Sequence, residues 1–282
     1  MNWKKGLKKK KLIPDVNLLI CSISLGFCII YSSFVSAQTA SFSIHFINVG
    51  YGDAILLQFP DGKNFLIDAG EDEYSKTLLD YLKKRNVTHI HSAIMTHPHK
   101  NHFQGFIRIL DEMPVDQMYV NGDERAEERY DELITMLAQK MVKVNLLKQG
   151  DQLREGTIRI LHPETVDVSV NDSSLVTLVT FQKIRILLLA DVGPKELDKI
   201  LAANPQLKDV DVIQIPHHGK TITKEFMKIF RNKVFIASTG PNSWGEIDEA
   251  KMSGLQGDVY RTDRHGTIII QSDGQQIQVK HE

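Results

Sequence analysis

The apolar positions of this chain change period several times, and each change marks an element. Ser41 to Asn48 alternates, with Phe42, Ile44 and Phe46 turned inward and Ser43 and His45 outward, as in a half-buried strand. Ala54 to Phe59 and Asn64 to Ile67 read as two more strands, joined by the hairpin signal Pro60-Asp61-Gly62-Lys63. From Tyr74 to Asn86 the spacing turns helical at Leu78, Leu79 and Leu82. Lys83, Lys84 and Arg85 fall in the last turn, where the helix dipole favours cations. His89 to Thr96 predicts a buried strand, and Phe103 to Leu110 a helix.

Further on, Val115 to Val120 predicts a strand. Glu124 to Met141 predicts a polar helix with Leu133, Ile134 and Leu137 on one face, and Gly150 to Glu155 a turn. Strands follow at Thr157 to Leu161, Ser174 to Phe181 and Ile184 to Leu189, the last two as a hairpin. A helix runs from Pro194 through Leu201, since proline is tolerated in a first turn. Then come a strand at Val210 to Ile215, a helix at Thr223 to Phe230, a strand at Val234 to Ser238, and late strands at Val259, Thr267 to Ile270 and Gln276 to Val279. Hairpins, βα units, then hairpins and βα units again fit two mixed sheets packed face to face with helices outside, in one domain over 38–282.

The N-terminus departs from this pattern. Lys4, Lys5 and Lys8 to Lys11 precede an almost wholly apolar run from Leu18 to Ile30, and Val35-Ser36-Ala37 has compact residues where a signal peptidase reads. The segment 1–37 therefore reads as a signal peptide cleaved after Ala37. The alternative is an uncleaved anchor, since Leu18 to Ala37 is just long enough to span a bilayer. Both readings export the body of the protein, to the periplasm or the extracellular medium, and the membrane enters only through an uncleaved N-terminus. The only cysteines, Cys21 and Cys28, lie in this segment, so a mature chain cut after Ala37 has no disulfide. With 42% hydrophobic and 24% charged residues and a net charge of −1, the composition is that of a globular protein and argues against a broad basic surface.

Candidate chemistry gathers in Thr96-His97-Pro98-His99-Lys100-Asn101-His102, where histidines at i, i+2 and i+5 occupy a strand-to-helix turn. That spacing brings imidazoles into one small volume, as a divalent metal requires. Three other apolar strands end in polar residues that packing does not explain: Asp68, Asp191, and the pair His217 and His218. A lone aspartate at a strand end is more often a structural acceptor than a ligand, and Asp68 is read that way first.

Together, Asp68-Ala69-Gly70, the histidine turn, Leu189-Ala190-Asp191 and Pro216-His217-His218-Gly219 resemble the metallo-β-lactamase fold superfamily. Phe46 to Asp53, Asn171 to Val176 and Tyr260 to Arg264 further resemble the C-terminal hydrolase domain of competence DNA-uptake proteins and its free-standing secreted relatives. The resemblance runs from about Phe42 to the C-terminus. It implies an α/β (α+β) fold, a four-layer αββα sandwich, with a site for two metals, usually zinc and sometimes manganese. His97 and His99 would hold the first metal, with Asn171 as a third ligand. Asn101 and His102 would hold the second, with Asp191 bridging and His217 or His218 completing the set. Two such ions share and acidify a water that attacks a phosphoryl or carbonyl centre, so Asp191 and Asn101 become the catalytic candidates. Asp53 and Asp68 are structural neighbours of the site; Tyr51, Lys100, Lys220 and Asn242 are candidate substrate contacts.

Several positions differ from the family pattern. Asn101 stands where a carboxylate is usual, Ala190 where glycine is usual, and Glu246 where relatives often have histidine. Three readings follow: an exported metal-dependent hydrolase of phosphodiesters or nucleic acid, a metal-depleted binding or scaffolding protein on the same fold, and a β-lactam or lactone hydrolase. The sequence does not identify the substrate or the oligomeric state.

Overall fold

The computed structural model describes residues 41–282 apart from 126, 167–168 and 243–246. The segment 1–37, with Cys21 and Cys28, and Glu246 lie outside the described residues. Residues Ala40–Glu282 form one compact unit. Its strands, in chain order, are β1 (Phe42–Phe46), β2 (Ile55–Gln58), β3 (Asn64–Ile67), β4 (Ser92–Met95), β5 (Gln117–Val120) and β6 (Lys143–Leu146). They continue with β7 (Gln152–Leu153), β8 (Ile158–His162), β9 (Val176–Phe181), β10 (Ile184–Leu188) and β11 (Val212–Gln214). The last are β12 (Arg231–Ala237), β13 (Gln256–Arg261), β14 (Ile268–Ser272) and β15 (Ile277–His281).

One sheet has eight strands in the order β15-β14-β1-β2-β3-β4-β5-β6, the other seven in the order β13-β12-β11-β10-β9-β8-β7. Both are mixed. β3 to β6 run parallel, as do β10 to β13, while the hairpins pair antiparallel. Apolar side chains form three buried layers. Phe42, Ile44, Phe46, Ile94, Ile186 and Ile236 pack between the sheets. Leu78, Leu82, Phe106 and Leu133 lie under the helices Ser75–Lys84, Gly105–Glu112 and Tyr130–Gln139, outside the eight-stranded sheet. Leu197, Leu201 and Phe226 lie under Pro194–Ala203 and Lys224–Ile229, outside the other. Three apolar layers between four strata give the expected αββα sandwich.

Some local expectations change. His45 is buried, not outward, because β1 is covered on both faces; its Nδ1 lies 2.7 Å from the Tyr81 hydroxyl on the overlying helix. The polar helix begins at Tyr130, not Glu124, since Arg129 sits at φ 70, outside helical backbone. β6 was not anticipated: its short, mostly exposed run, Val144 and Leu146 included, is an edge strand with one neighbour. The Gly150 to Glu155 turn contains the short strand β7.

In each sheet the carboxyl ends of the parallel strands carry the polar residues, the edge where open α/β sheets bind ligands. Asp68 follows β3, His97 follows β4 by one residue, Asp191 follows β10, His217 follows β11 and Ser238 follows β12. Gly105 permits the closest approach there, because a Cβ at that position would sit 1.9 Å from the Ala69 carbonyl oxygen. The histidine turn is thereby seated against the Asp68 turn, where Ala69 N–H donates to the His102 carbonyl at 2.7 Å.

Candidate metal centre

The histidine turn is held from behind. Asp68 is buried, and its Oδ1 accepts the Thr96 N–H at 2.8 Å while Oδ2 accepts the Thr96 hydroxyl at 2.7 Å. The same Oδ2 lies 2.8 Å from His102 Nδ1, so that nitrogen donates and Nε2 is left facing forward. Thr96, with its own proton given to Asp68, accepts from His97 Nδ1 at 3.1 Å, which turns His97 Nε2 forward as well. Ser174 Oγ flanks His97 Nδ1 at 3.2 Å. Such carboxylate, hydroxyl or carbonyl partners commonly fix the tautomer of ligating histidines.

The other sheet supplies the counterpart. Oδ2 of the buried Asp191 lies 3.4 Å from His102 Nε2, 3.4 Å from His218 Nε2, 3.8 Å from His97 Nε2 and 3.9 Å from His217 Nε2. His218 donates from Nδ1 to the Ser238 carbonyl at 3.0 Å, and its Nε2 receives the Asn101 amide at 2.9 Å. Of the adjacent pair, His218 is buried at this carboxylate, whereas His217 is partly exposed on the wall of the cavity in front.

Two groups with ligand-like spacing share one carboxylate: His97, His99 and Asp191, and His102, Asp191 and His218. His97 Nε2 and His99 Nδ1 are 3.1 Å apart, and Asn171 lines the same cavity as His99. Among the described residues, seven buried side-chain polar atoms have no hydrogen-bond partner, and three of them, His102 Nε2, Asp191 Oδ1 and Asn171 Oδ1, belong to these groups or their neighbour. Buried polar atoms are otherwise nearly always paired, so a donor set of imidazole nitrogens, carboxylate and amide oxygen left open fits a divalent cation. The electrostatics agree for His97, His99 and Asp191. At His102 burial alone would lower the imidazole, but Asp191 and Asp68 hold it well above the usual range, so a cation there must displace its proton. Burial, then the neighbouring His102, holds His97 well below the usual imidazole range. Burial alone would raise Asp191, but His218 and His102 hold its carboxyl well below the usual carboxylate range. Neutral imidazoles and an ionised carboxylate are the protonation states that ligate metals.

In front lies a cavity of about 400 Å³ lined by His99, Asn101, Asn171, Asp191 and His217, with Lys100 and Lys220 among its walls. Lys100 is not an independent cation there, since its Nζ lies 2.6 Å from Glu71. Lys220 Nζ stands 4.7 Å from the centre of the Tyr51 ring, and that ring packs 4.2 Å from the His218 ring. Asn242 lies on a neighbouring loop. It is exposed, donates to its own loop at Gly240 O and lines a neighbouring cavity, so it does not reach the histidine cluster. Asp68 bonds Thr96 and His102 from behind, and Asp53, Asp68 and His102 form a further group with ligand-like spacing.

Gln214 escaped the sequence reading. It is buried, accepts the Leu189 and Ala190 amides on Oε1 and donates to Asp53 Oδ2 at 2.7 Å. A polar residue inside an apolar strand two positions before Pro216 was the available signal.

No protein-family model and no curated protein matches the sequence. Solved structures do. A variant of the β-hydroxylase CmlA is similar with a TM-score of 0.52 at 12% identity, over 91% of this chain and 59% of that one, so this chain spans less than two thirds of the hydroxylase. Tm1679, a metal-dependent hydrolase of the β-lactamase superfamily, is similar with a TM-score of 0.53 at 10% identity, over 80% of this chain and 98% of that one. Identities this low speak for architecture and not for activity. Two packed mixed sheets, helices on both outer faces and a histidine-lined edge give this chain the metallo-β-lactamase fold.

Proposed function

We propose that this chain is an exported metal-dependent hydrolase acting on phosphodiesters. The observation that carries the reading is the convergence of forward-facing His97, His102 and His218 nitrogens on the single buried carboxylate of Asp191. His97, His99, Asp191 and Asn171 would hold one divalent cation, zinc or manganese. His102, His218 and Asp191, with the Asn101 side chain beside them, would hold a second. A cation bound there supplies Lewis acidity and a nearby water of lowered pKa.

The chain's own residues do the rest. Asp68, Thr96 and the Ser238 carbonyl keep His102, His97 and His218 in the tautomers that face the cavity. Lys220 on one wall supports an anionic substrate, while Lys100 is paired with Glu71 and Glu127 also lines the cavity, and His217 offers a wall imidazole for a substrate oxygen. The competence-protein resemblance supports phosphodiesters, nucleic acid included, over β-lactams or lactones.

The test is metal analysis of the purified mature protein, with turnover assays on a model phosphodiester, nucleic acid, a β-lactam and a lactone. No metal and no turnover after zinc or manganese reconstitution would sink the reading; β-lactam turnover alone would replace its substrate. Export is checked by N-terminal sequencing of protein from cell fractions, with the body found in the cytoplasm as the contrary result.

One observation favours a second reading, a binding or scaffolding protein without metal: the Asn101 amide sits on the His218 nitrogen that a cation would need. A full metal site in the native protein excludes it.

A further inference from the structure

β10 ends at Leu188, and the two amides that follow belong to a turn and not to the sheet ladder. Both Leu189 N–H, at 3.0 Å, and Ala190 N–H, at 3.1 Å, donate to Gln214 Oε1 at the end of β11. Ala190 needs such help, because it sits at φ 44, a left-handed backbone that an alanine Cβ disfavours. With Oε1 occupied by two donors, Gln214 must turn Nε2 to an acceptor, which it finds in Asp53 Oδ2 at 2.7 Å on the opposite sheet. The next residue after this turn is Asp191. The same turn also receives His217, whose N–H donates to the Ala190 carbonyl at 2.8 Å.

We propose that Gln214 is a positioning residue that sets the Asp191 carboxylate against His102 and His218, using Asp53 as its anchor in the facing sheet. A carboxamide is the one group of this size that accepts two amides and donates to a carboxylate. Glutamate would set one carboxylate against another, and leucine would leave both backbone amides without acceptors. The functional side of the proposal rests on the metal-site reading; the placement of Asp191 does not.

The test compares wild type with Gln214→Leu and Gln214→Glu by zinc calorimetry, by amide hydrogen exchange of Leu189 and Ala190 in metal-free protein, and by thermal melting. The expected result is faster exchange at those two amides and zinc affinity about 10- to 100-fold weaker, the range for lost outer-shell partners. Adding Ala190→Gly to Gln214→Leu should restore part of the zinc affinity, because glycine takes the left-handed turn without support. Unchanged exchange, or faster exchange with unchanged zinc affinity, overturns the proposal; the second result would leave only an inter-sheet hydrogen bond. If wild type binds no zinc, the metal-site reading falls, and a crystal structure of Gln214→Leu decides the rest, an unmoved Asp191 overturning the placement. Should Gln214→Leu fail to fold, Asp53→Ala loosens one end of the clamp and is read by the same three measurements, with the same outcomes on each side.

Discussion

On the eight-stranded sheet, the side chains of the site stand on nearly regular backbone. β4 leads through an extended His99 (φ −83, ψ 143) into a helical turn. Asp68, at φ 56, is the one left-handed non-glycine residue of the site there, with Gly50 and Gly70 at 67 and 70 beside it. On the seven-stranded sheet, the corresponding residues stand on strained backbone. Ala190, His217 and His218 have φ of 44, 53 and 57, and Gly219 follows at 93. The first bank is thus assembled by local spacing, the second by tertiary partners that hold unfavourable turns in place. Strain of this kind persists only where the surroundings over-determine it, and it concentrates where side chains must be aimed. Asp191, shared by both candidate triads, is on the strained bank.

The largest effect should therefore come from Asp191→Ala. Removing the shared carboxylate should abolish metal binding and hydrolysis together; a variant that keeps metal at the first triad would show the banks to be independent. His99→Ala should likewise abolish activity, and full retained activity would refute the first triad.

Acid should act through the regular bank. Burial pushes His45 down to about 3, so the unfolded chain, with an ordinary imidazole, takes up a proton first as the pH falls. The stability held by neutral His45 is complete above about pH 6.5 and is lost as the pH falls from there towards 3, a loss of at most about 5 kcal/mol. Denaturant titrations of His45→Gln should show a flatter dependence across that window; an unchanged slope would remove His45 as the cause.

Asp68→Asn should weaken metal binding by about 10- to 100-fold while leaving the strained bank untouched. Calorimetry finding no change would mean that His102 needs no carboxylate behind it. Asn101→Asp should raise the metal content per chain, read by elemental analysis, and its failure to do so would mean that the second triad is already filled or cannot fill. The smallest effect is Ala190→Gly. Relief of the left-handed alanine should stabilise the fold by about 1 kcal/mol, a rise of about 2–4 °C in Tm. A lower Tm would show that Ala190 is not strained in solution.

Much of this was legible beforehand because it depends on short-range periodicity. Alternation in Phe42 to Phe46, helical spacing at Leu78 and Leu82, and the i, i+2, i+5 histidines are local patterns, and they produce the strand, helix and turn that carry them. Glu124 to Arg129 was misread as helix because charge spacing does not reveal a left-handed Arg129. Asn242 turns its side chain back onto Gly240 in its own loop, a pairing no spacing encodes.

What the sequence determined by itself is therefore the order of the buried strands and amphipathic helices, the layered αββα plan and the four strand ends where chemistry collects, since apolar period and turn residues act over a few positions. Only the tertiary structure decided how those ends are used. It set His218 rather than His217 at the buried carboxylate, tied Lys100 to Glu71, and joined Gln214 to an aspartate 161 residues away. These are pairings across two sheets, and a side chain's proton and aim depend on partners that come near only when the sheets pack.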